Sequence, residues 1–170
     1  AYYLTRSQPP LLSEMVRSLF IPARGVKNGS WEPRRSMSAL WSRLPILEKE
    51  HDFWTEHRTH SNLGYVKAGD NLPSSCDPIE ALRLLQHYDA NTTLPRPESW
   101  REDATLRRTF PTADQPGAMR DVAAAAESGW DFSSRWFADA NTMRTIRTTQ
   151  ILPVELNAIM VRMERNICRL

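Results

Sequence analysis

Apolar side chains recur at helical spacing near both ends of the chain. From Leu12 to Phe20 they follow at offsets of three and four, directly after a pair of prolines that suits the opening of a helix. The same spacing begins after Pro153 and continues to Leu170. Both stretches predict amphipathic helices that pack one face against the rest of the protein.

Two interior stretches predict further helices. Apolar residues keep the helical spacing from Met37 to Trp54, but Pro45 lacks a backbone donor and predicts a kink or a restart of the helix there. The alanine-rich run from Ala118 to Ser128 has high helix propensity. It should end at Gly129, because glycine tolerates the left-handed conformation that closes many helices.

The stretches between these helices carry glycine, proline and polar residues, or short apolar runs. Ala23 to Arg35 and Asn62 to Pro78 predict irregular connections, and Ile146 to Leu152 looks extended. Ile79 to Tyr88 suits either a short helix or a strand, since its apolar run is too short for the period to decide. No series of alternating strands appears, so the sequence predicts an all-α fold.

Composition and charge narrow the classes of function. Of the 170 residues, 41% are hydrophobic and 25% are charged, which is typical of a globular chain of about one domain. The longest apolar run, from Val122 to Ala126, is far too short to span a membrane. The formal net charge of +2 provides no broad positive field, so no nucleic-acid partner is expected. The sequence indicates no cellular compartment.

Cysteine and histidine form no recognisable metal site or disulfide framework. Cys76 and Cys168 are isolated and lack the paired spacing of zinc ligands. Three of the four histidines, His51, His57 and His60, lie close together but do not match the HExxH pattern, and a solvated helix end accounts for them. We therefore expect no bound metal ion.

The stretch from Glu127 to Trp136 places one carboxylate, Asp131, among three aromatic rings just beyond a predicted helix end. The negative end of the helix dipole and the exclusion of water by the rings both favour the protonated carboxyl. Asp131 is therefore a candidate general acid. The alternative is a structural role, in which Asp131 caps the following turn through Ser133 or Ser134.

A second polar cluster precedes Trp100. Arg96 and Glu98 lie two residues apart between and beside prolines, and in extended backbone they share a face. A guanidinium donates hydrogen bonds and a carboxylate accepts them, so this pair could grip sugar hydroxyls. The alternative is a helix start in which Ser99 is the cap and Glu102 completes a capping box.

The tryptophans divide into two groups. Trp41 and Trp54 fall on the apolar stripe of one predicted helix, so core packing accounts for them. Trp100, Trp130 and Trp136 lie inside the polar clusters, where they either stack on sugar rings or wall a cavity.

A third polar pair, Arg6 and Gln8, comes just before the prolines that open the first helix. The three clusters belong to a series of four strings: RSQPP (Arg6 to Pro10), PRPESW (Pro95 to Trp100), ESGWDFSSRW (Glu127 to Trp136) and IRTTQILPVELN (Ile146 to Asn157). In sequence and in order, these strings resemble trehalase, glycoside hydrolase family 37. The resemblance covers essentially the whole chain.

The resemblance implies an inverting hydrolase that splits α,α-trehalose into two glucose molecules inside a barrel of paired helices, an (α/α) toroid of six hairpins. It implies no metal ion and no organic cofactor. Asp131 matches the family's general acid, which protonates the glycosidic oxygen as the bond breaks. Further residues match positions that bind the substrate: Arg6, Gln8, Arg96, Glu98, Gly129 and Trp130.

Part of the family's pattern has no counterpart in this sequence. Neither its upstream Trp-Asp signature, nor its downstream Gln-Trp-Asp signature, nor the segment with the base glutamate is found here. We therefore expect residues 1–170 to be the central portion of the catalytic domain and to be inactive alone, because a positioned proton acceptor contributes about 10²–10⁴-fold to the rate. The alternative is a non-catalytic carbohydrate-binding or scaffold relative of the same barrel.

Overall fold

The computed structural model describes residues 6–20, 41–60, 66–67, 82–83 and 85–169. Helices dominate this part of the chain, which confirms the predicted all-α class; the closed toroid stays a prediction. The α-helices of the described ranges are α1 (Leu12–Phe20), α2 (Leu44–His57), α3 (Trp100–Arg107), α4 (Gln115–Glu127) and α5 (Val154–Arg169). Single 3-10 turns occupy Pro97–Ser99, Ser134–Trp136, Met143–Thr145 and Thr148–Gln150.

Helix boundaries follow the proline and glycine signals. Helix α2 begins at Leu44 with Pro45 in its first turn, so the interior pattern does restart at this proline. A proline is tolerated there because the first turn has no intrahelical partner for its missing N–H. Helix α4 begins at Gln115, three residues before the predicted start, and it also has a proline in its first turn. It ends before Gly129, as predicted.

The ambiguous stretch from Ile79 to Tyr88 contains a strand. Two two-residue strands, β1 (Val66–Lys67) and β2 (Leu82–Arg83), pair antiparallel. The predicted connection from Asn62 to Pro78 therefore contains β1, and its other residues lie outside the described ranges, as does Ala23 to Arg35. The extended-looking stretch from Ile146 to Leu152 contains a single 3-10 turn.

The chain divides into two compact units that interleave along the sequence. One unit consists of residues 10–86 and 154–170, and its helix α5 packs against α1 and α2. Val16 and Leu47 are buried at its centre, with Leu12 and Ile167 packed on them. In the same unit, the buried amide of Asn166 donates hydrogen bonds to Ser13 and Glu14 of α1.

The other unit consists of residues 1–9 and 87–153 and is built around α4. Val122 and the four alanines that follow it are buried, because small side chains let α3 and the turn at Thr148–Gln150 approach this helix closely. The Trp136 and Tyr88 rings, both buried, meet edge to face with centroids 6.2 Å apart. This unit contains all the predicted site residues.

No helix within the described ranges is long and apolar enough to cross a membrane.

The stability of the α5 packing is testable by a matched pair of truncations in this helix. Leu156 is fully buried, whereas Val154 is 81% exposed. We expect Leu156→Ala to lower the free energy of unfolding by about 2–5 kcal/mol, because it removes apolar contacts and leaves a cavity. Val154→Ala should change it by less than about 0.5 kcal/mol. Denaturant titration of both variants measures the difference, and equal losses would contradict this assignment of the core.

Candidate active site

The loop that follows α4 is shaped by its own serine and glycine. The hydroxyl of Ser128 donates to the carbonyl oxygen of Ala125 at 2.5 Å and accepts from the Trp130 N–H at 3.0 Å. Gly129 has φ of 72°, the left-handed conformation that ends a helix. A Cβ at Gly129 would meet nothing within 4 Å, so the glycine serves the backbone conformation rather than a close contact. The chain is thereby turned out of the helix towards Asp131.

Asp131 is exposed on this loop, so the expected exclusion of water from it by the neighbouring rings is wrong. Its side chain makes no hydrogen bond or ion pair with the described residues. The proposed capping role of Asp131 is wrong, because Ser133 occupies the cap of the next 3-10 turn and its hydroxyl accepts from the Arg135 N–H. The Trp136 indole N–H donates to the Trp130 carbonyl oxygen at 3.0 Å and closes the loop. The Asp131–Phe132 peptide bond is cis.

The sugar-binding candidates Arg6 and Glu98 are joined by an ion pair. The Arg6 Nε donates to Glu98 Oε1 at 3.0 Å, and the two side chains are only 10% and 11% exposed. The Arg6 Nη1 also donates to the carbonyl oxygen of Ala126 at 2.9 Å. A positive group at the end of α4 is favourable, since helix C-termini carry partial negative charge. Arg6 therefore connects two of the predicted clusters.

One oxygen of Glu98 has no partner in this arrangement. Oε1 accepts from Arg6, while Oε2 is buried and makes no hydrogen bond. Buried polar atoms in native proteins are almost always hydrogen-bonded, so an unpaired carboxylate oxygen needs an explanation. A ligand hydroxyl would satisfy it.

Arg96 is held by Asp103, a residue that the sequence did not single out. The guanidinium donates to both carboxylate oxygens of Asp103 at 2.8 Å, and the Arg96 backbone N–H adds a bond of 2.9 Å. Both side chains are buried. The alternative of a helix start is confirmed, since α3 begins at Trp100, but Ser99 makes no capping hydrogen bond. This segment is both a helix start and a fixed guanidinium.

Arg96 lies close to the candidate acid and interacts with its charge. Burial alone would lower the pKa of Arg96, but hydrogen bonds to Asp103 and the charges of Asp103 and Glu98 raise it above its ordinary value. The charge of Asp131 acts on the pKa of Arg96 in the same direction. The Arg96 guanidinium also lies 5.0 Å from the centre of the Phe132 ring, the residue after Asp131. Arg96, Glu98 and Asp131 thus share one neighbourhood.

Two aromatic side chains near these groups are open to solvent. Trp130 is 51% exposed, and the Arg135 guanidinium stacks over its ring at 4.3 Å. Trp100 is also about half exposed, whereas Trp136 is fully buried. Gln8 is exposed beside Ser7.

The structure adds a second residue that was missed, Glu127. This carboxylate is fully buried at the end of α4 and accepts hydrogen bonds from Ser7 and Asp89. It stands at the head of the string around Asp131, yet periodicity assigns it only to the end of a helix. Its partners lie far away in sequence, so no local signal identifies its role.

Among the residues that the structure describes, no three histidine, cysteine, aspartate or glutamate side chains form a group that could hold a metal ion.

A family model and curated relatives match this chain. The model of the trehalase family covers residues 1–170. The periplasmic trehalase of Citrobacter koseri is 37% identical over 168 residues, which make up 99% of this chain and 26% of that protein. Periplasmic trehalases of Escherichia coli O139:H28 and Shigella flexneri are each 34% identical over 169 residues, 99% of this chain and 27% of theirs. The chain thus spans about a quarter of the length of these relatives.

The Arg96–Asp103 pair makes a testable contribution to stability. Asp103→Asn leaves a buried guanidinium without its charged partner, so we expect the free energy of unfolding to fall by about 3–5 kcal/mol. The control is Glu102→Gln, the same charge change one residue earlier on α3, where the side chain is exposed. That change should lower the free energy of unfolding by less than about 1 kcal/mol. Equal effects in denaturant titrations would show that the pair does not support this site.

Proposed function

The chain belongs to the trehalase family, and from that premise we propose that it forms the acid-bearing part of an enzyme that hydrolyses α,α-trehalose to two glucose molecules with inversion. Asp131 is the general acid in this proposal. The base glutamate is supplied from outside residues 1–170. The expectation that these residues are inactive alone stays a prediction.

One arrangement carries the proposal. Arg6, Glu98 and Arg96 come from segments up to 92 residues apart, and they meet beside the loop of Asp131. Each charge is paired within the protein, yet Glu98 Oε2 is left buried and unsatisfied. A polyol ligand would bring hydroxyl donors and complete the hydrogen bonding of Glu98. This unsatisfied acceptor therefore favours a sugar as the ligand.

The guanidinium groups supply hydrogen-bond donors for sugar oxygens, whereas Glu98 supplies an acceptor. Arg96 uses its Nε and one terminal nitrogen on Asp103, so its other terminal N–H groups stay available to sugar oxygens. Arg6 is fixed in place by Glu98 and Ala126. Because Asp103 and Glu98 hold the two cations before substrate arrives, little side-chain freedom is lost on binding.

In this proposal, Asp131 carries out the acid step. In an inverting glycosidase, one carboxyl group protonates the leaving oxygen while a carboxylate about 6.5–9.5 Å away activates a water on the opposite face of the ring. Asp131 donates its proton to the glycosidic oxygen, and the first glucose leaves as the free sugar. Its carboxyl group has no protein partner among the described residues, so it is free to meet the substrate. The exposed Trp130 ring offers a face on which a pyranose ring can stack.

The acid role of Asp131 is tested in the protein expressed from its complete gene. We expect Asp131→Asn to lower kcat for trehalose by about 10²–10⁴-fold. Hydrolysis of α-glucosyl fluoride should fall far less, because fluoride leaves without a proton. Glucose release and fluoride release measure the two rates.

The matched control is Asp114→Asn, an exposed aspartate at the opposite end of α4 that makes no capping hydrogen bond. It should leave both rates unchanged. Undiminished trehalose hydrolysis by the Asp131 variant would refute the proposal. Trehalose binding without glucose release by the unaltered protein would instead favour the non-catalytic alternative.

A further inference from the structure

We propose that Glu127 is a positioning residue: its buried carboxylate fixes the segment that carries Arg6 and Gln8 against the loop that carries Asp131. The proposal rests on the function proposed above and adds a residue to it. Neither the sequence strings nor the resemblance gives Glu127 a role.

The carboxylate joins two distant segments to α4. Glu127 Oε1 accepts from the Ser7 N–H at 2.9 Å and from the Ser7 hydroxyl at 2.6 Å. Oε2 accepts from the Asp89 N–H at 3.0 Å. Backbone donors cannot rotate away, so these bonds fix where the main chain of both segments runs. Charge-assisted bonds of this kind are about twice as strong as neutral ones.

The position of Glu127 in the chain makes it a link between binding and catalysis. Ser7 lies directly between Arg6 and Gln8, and Glu127 lies four residues before Asp131. One side chain therefore sets the distance between the backbone of the sugar-binding pair and the loop of the acid. The hydrogen bond from Arg6 to the Ala126 carbonyl oxygen joins the same two segments.

A buried carboxylate at a helix C-terminus is unfavourable, so its presence needs a specific reason. Glu127 is the last residue of α4, where the helix dipole disfavours negative charge, and it is fully buried. An uncharged or basic residue would suit a helix C-terminus better. Hydrogen bonds from Ser7 and Asp89 offset the burial, and the Ser7 segment carries Arg6 and Gln8.

The test replaces this carboxylate with an amide in the protein expressed from its complete gene. In Glu127→Gln the side-chain NH₂ must face an N–H donor of either Ser7 or Asp89, so one link is lost. Displacement of a site by about 1 Å can cost about 10²-fold in rate. We therefore expect kcat/KM for trehalose to fall by about 10²-fold.

The matched control is Asp121→Asn. Asp121 is also a buried carboxylate of α4, and it accepts from the Thr149 N–H and hydroxyl, each at 2.8 Å. It binds the helix to a turn that carries no candidate sugar-binding residue. The same chemical change there should alter kcat/KM by less than about threefold when both variants are assayed well below their unfolding temperatures.

A second readout separates positioning from a loss of stability. If Glu127 places Asp131, its variant should lose more activity on trehalose than on α-glucosyl fluoride; if it places Arg6 and Gln8, KM should rise for both substrates. Either pattern supports the proposal. A loss of stability alone changes neither the ratio of the two activities nor KM.

Ser7→Ala provides a milder variant in case Glu127→Gln does not fold. It removes the hydroxyl bond and keeps the backbone bond, so kcat/KM should fall by about tenfold. In the double variant, the two losses should not be independent, since both changes weaken the links that Glu127 makes.

The positioning role is overturned if the unaltered protein and Asp131→Asn behave as proposed while Glu127→Gln, or Ser7→Ala in its place, loses no more activity than Asp121→Asn. An unaltered protein that releases no glucose from trehalose would overturn the proposed function, and the positioning role with it.

Discussion

The candidate site depends on how the C-terminal end of α4 is satisfied. A helix end leaves carbonyl oxygens without intrahelical partners. Here the buried carboxylate of Glu127 adds negative charge at the same end and also needs hydrogen-bond donors. The Ala126 carbonyl oxygen accepts from the Gly129 N–H and also from Arg6, and the Glu127 carboxylate accepts from Ser7. The same contacts bring the segment of Arg6 and Gln8 to the loop that carries Asp131. Completion of one helix therefore assembles the site from segments that are distant in sequence.

Two ion pairs hold the guanidinium groups of the site, and a buried oxygen of Glu98 is left without a partner. Arg96 is paired with Asp103, and Arg6 with Glu98, all with little exposure to water. Such pairs are weak evidence for stability, because desolvation opposes their attraction. They do fix planar groups in one orientation, which suits the recognition of ring hydroxyls. The unpaired Glu98 Oε2 is the point at which protein hydrogen bonding stops and ligand hydrogen bonding can begin.

Local patterns in the sequence predicted α1, α2, α4 and α5 and the turn after α4, because periodicity, proline and glycine act over a few residues; the helix start at Trp100 was only one of two alternatives. They left the stretch from Ile79 to Tyr88 open, where pairing with another strand decides the structure. The prediction of a buried Trp41 was wrong: this ring is 60% exposed, while Trp54 on the same stripe is buried. The partners Asp103 and Glu127 were missed, since a carboxylate on a helix carries no local sign of the distant donor that it meets.

The central claim is that the Asp131 carboxyl group meets the bond that breaks, beside Glu98 and Arg96. The most direct measurement is a crystal structure of the protein from its complete gene with a non-hydrolysable trehalose analogue bound. The account predicts the Asp131 carboxyl within about 2.6–3.2 Å of the bridging atom, and a sugar hydroxyl donating to Glu98 Oε2. An analogue bound beside these residues with Asp131 turned away from the bridging atom, or bound elsewhere on the protein, would contradict it.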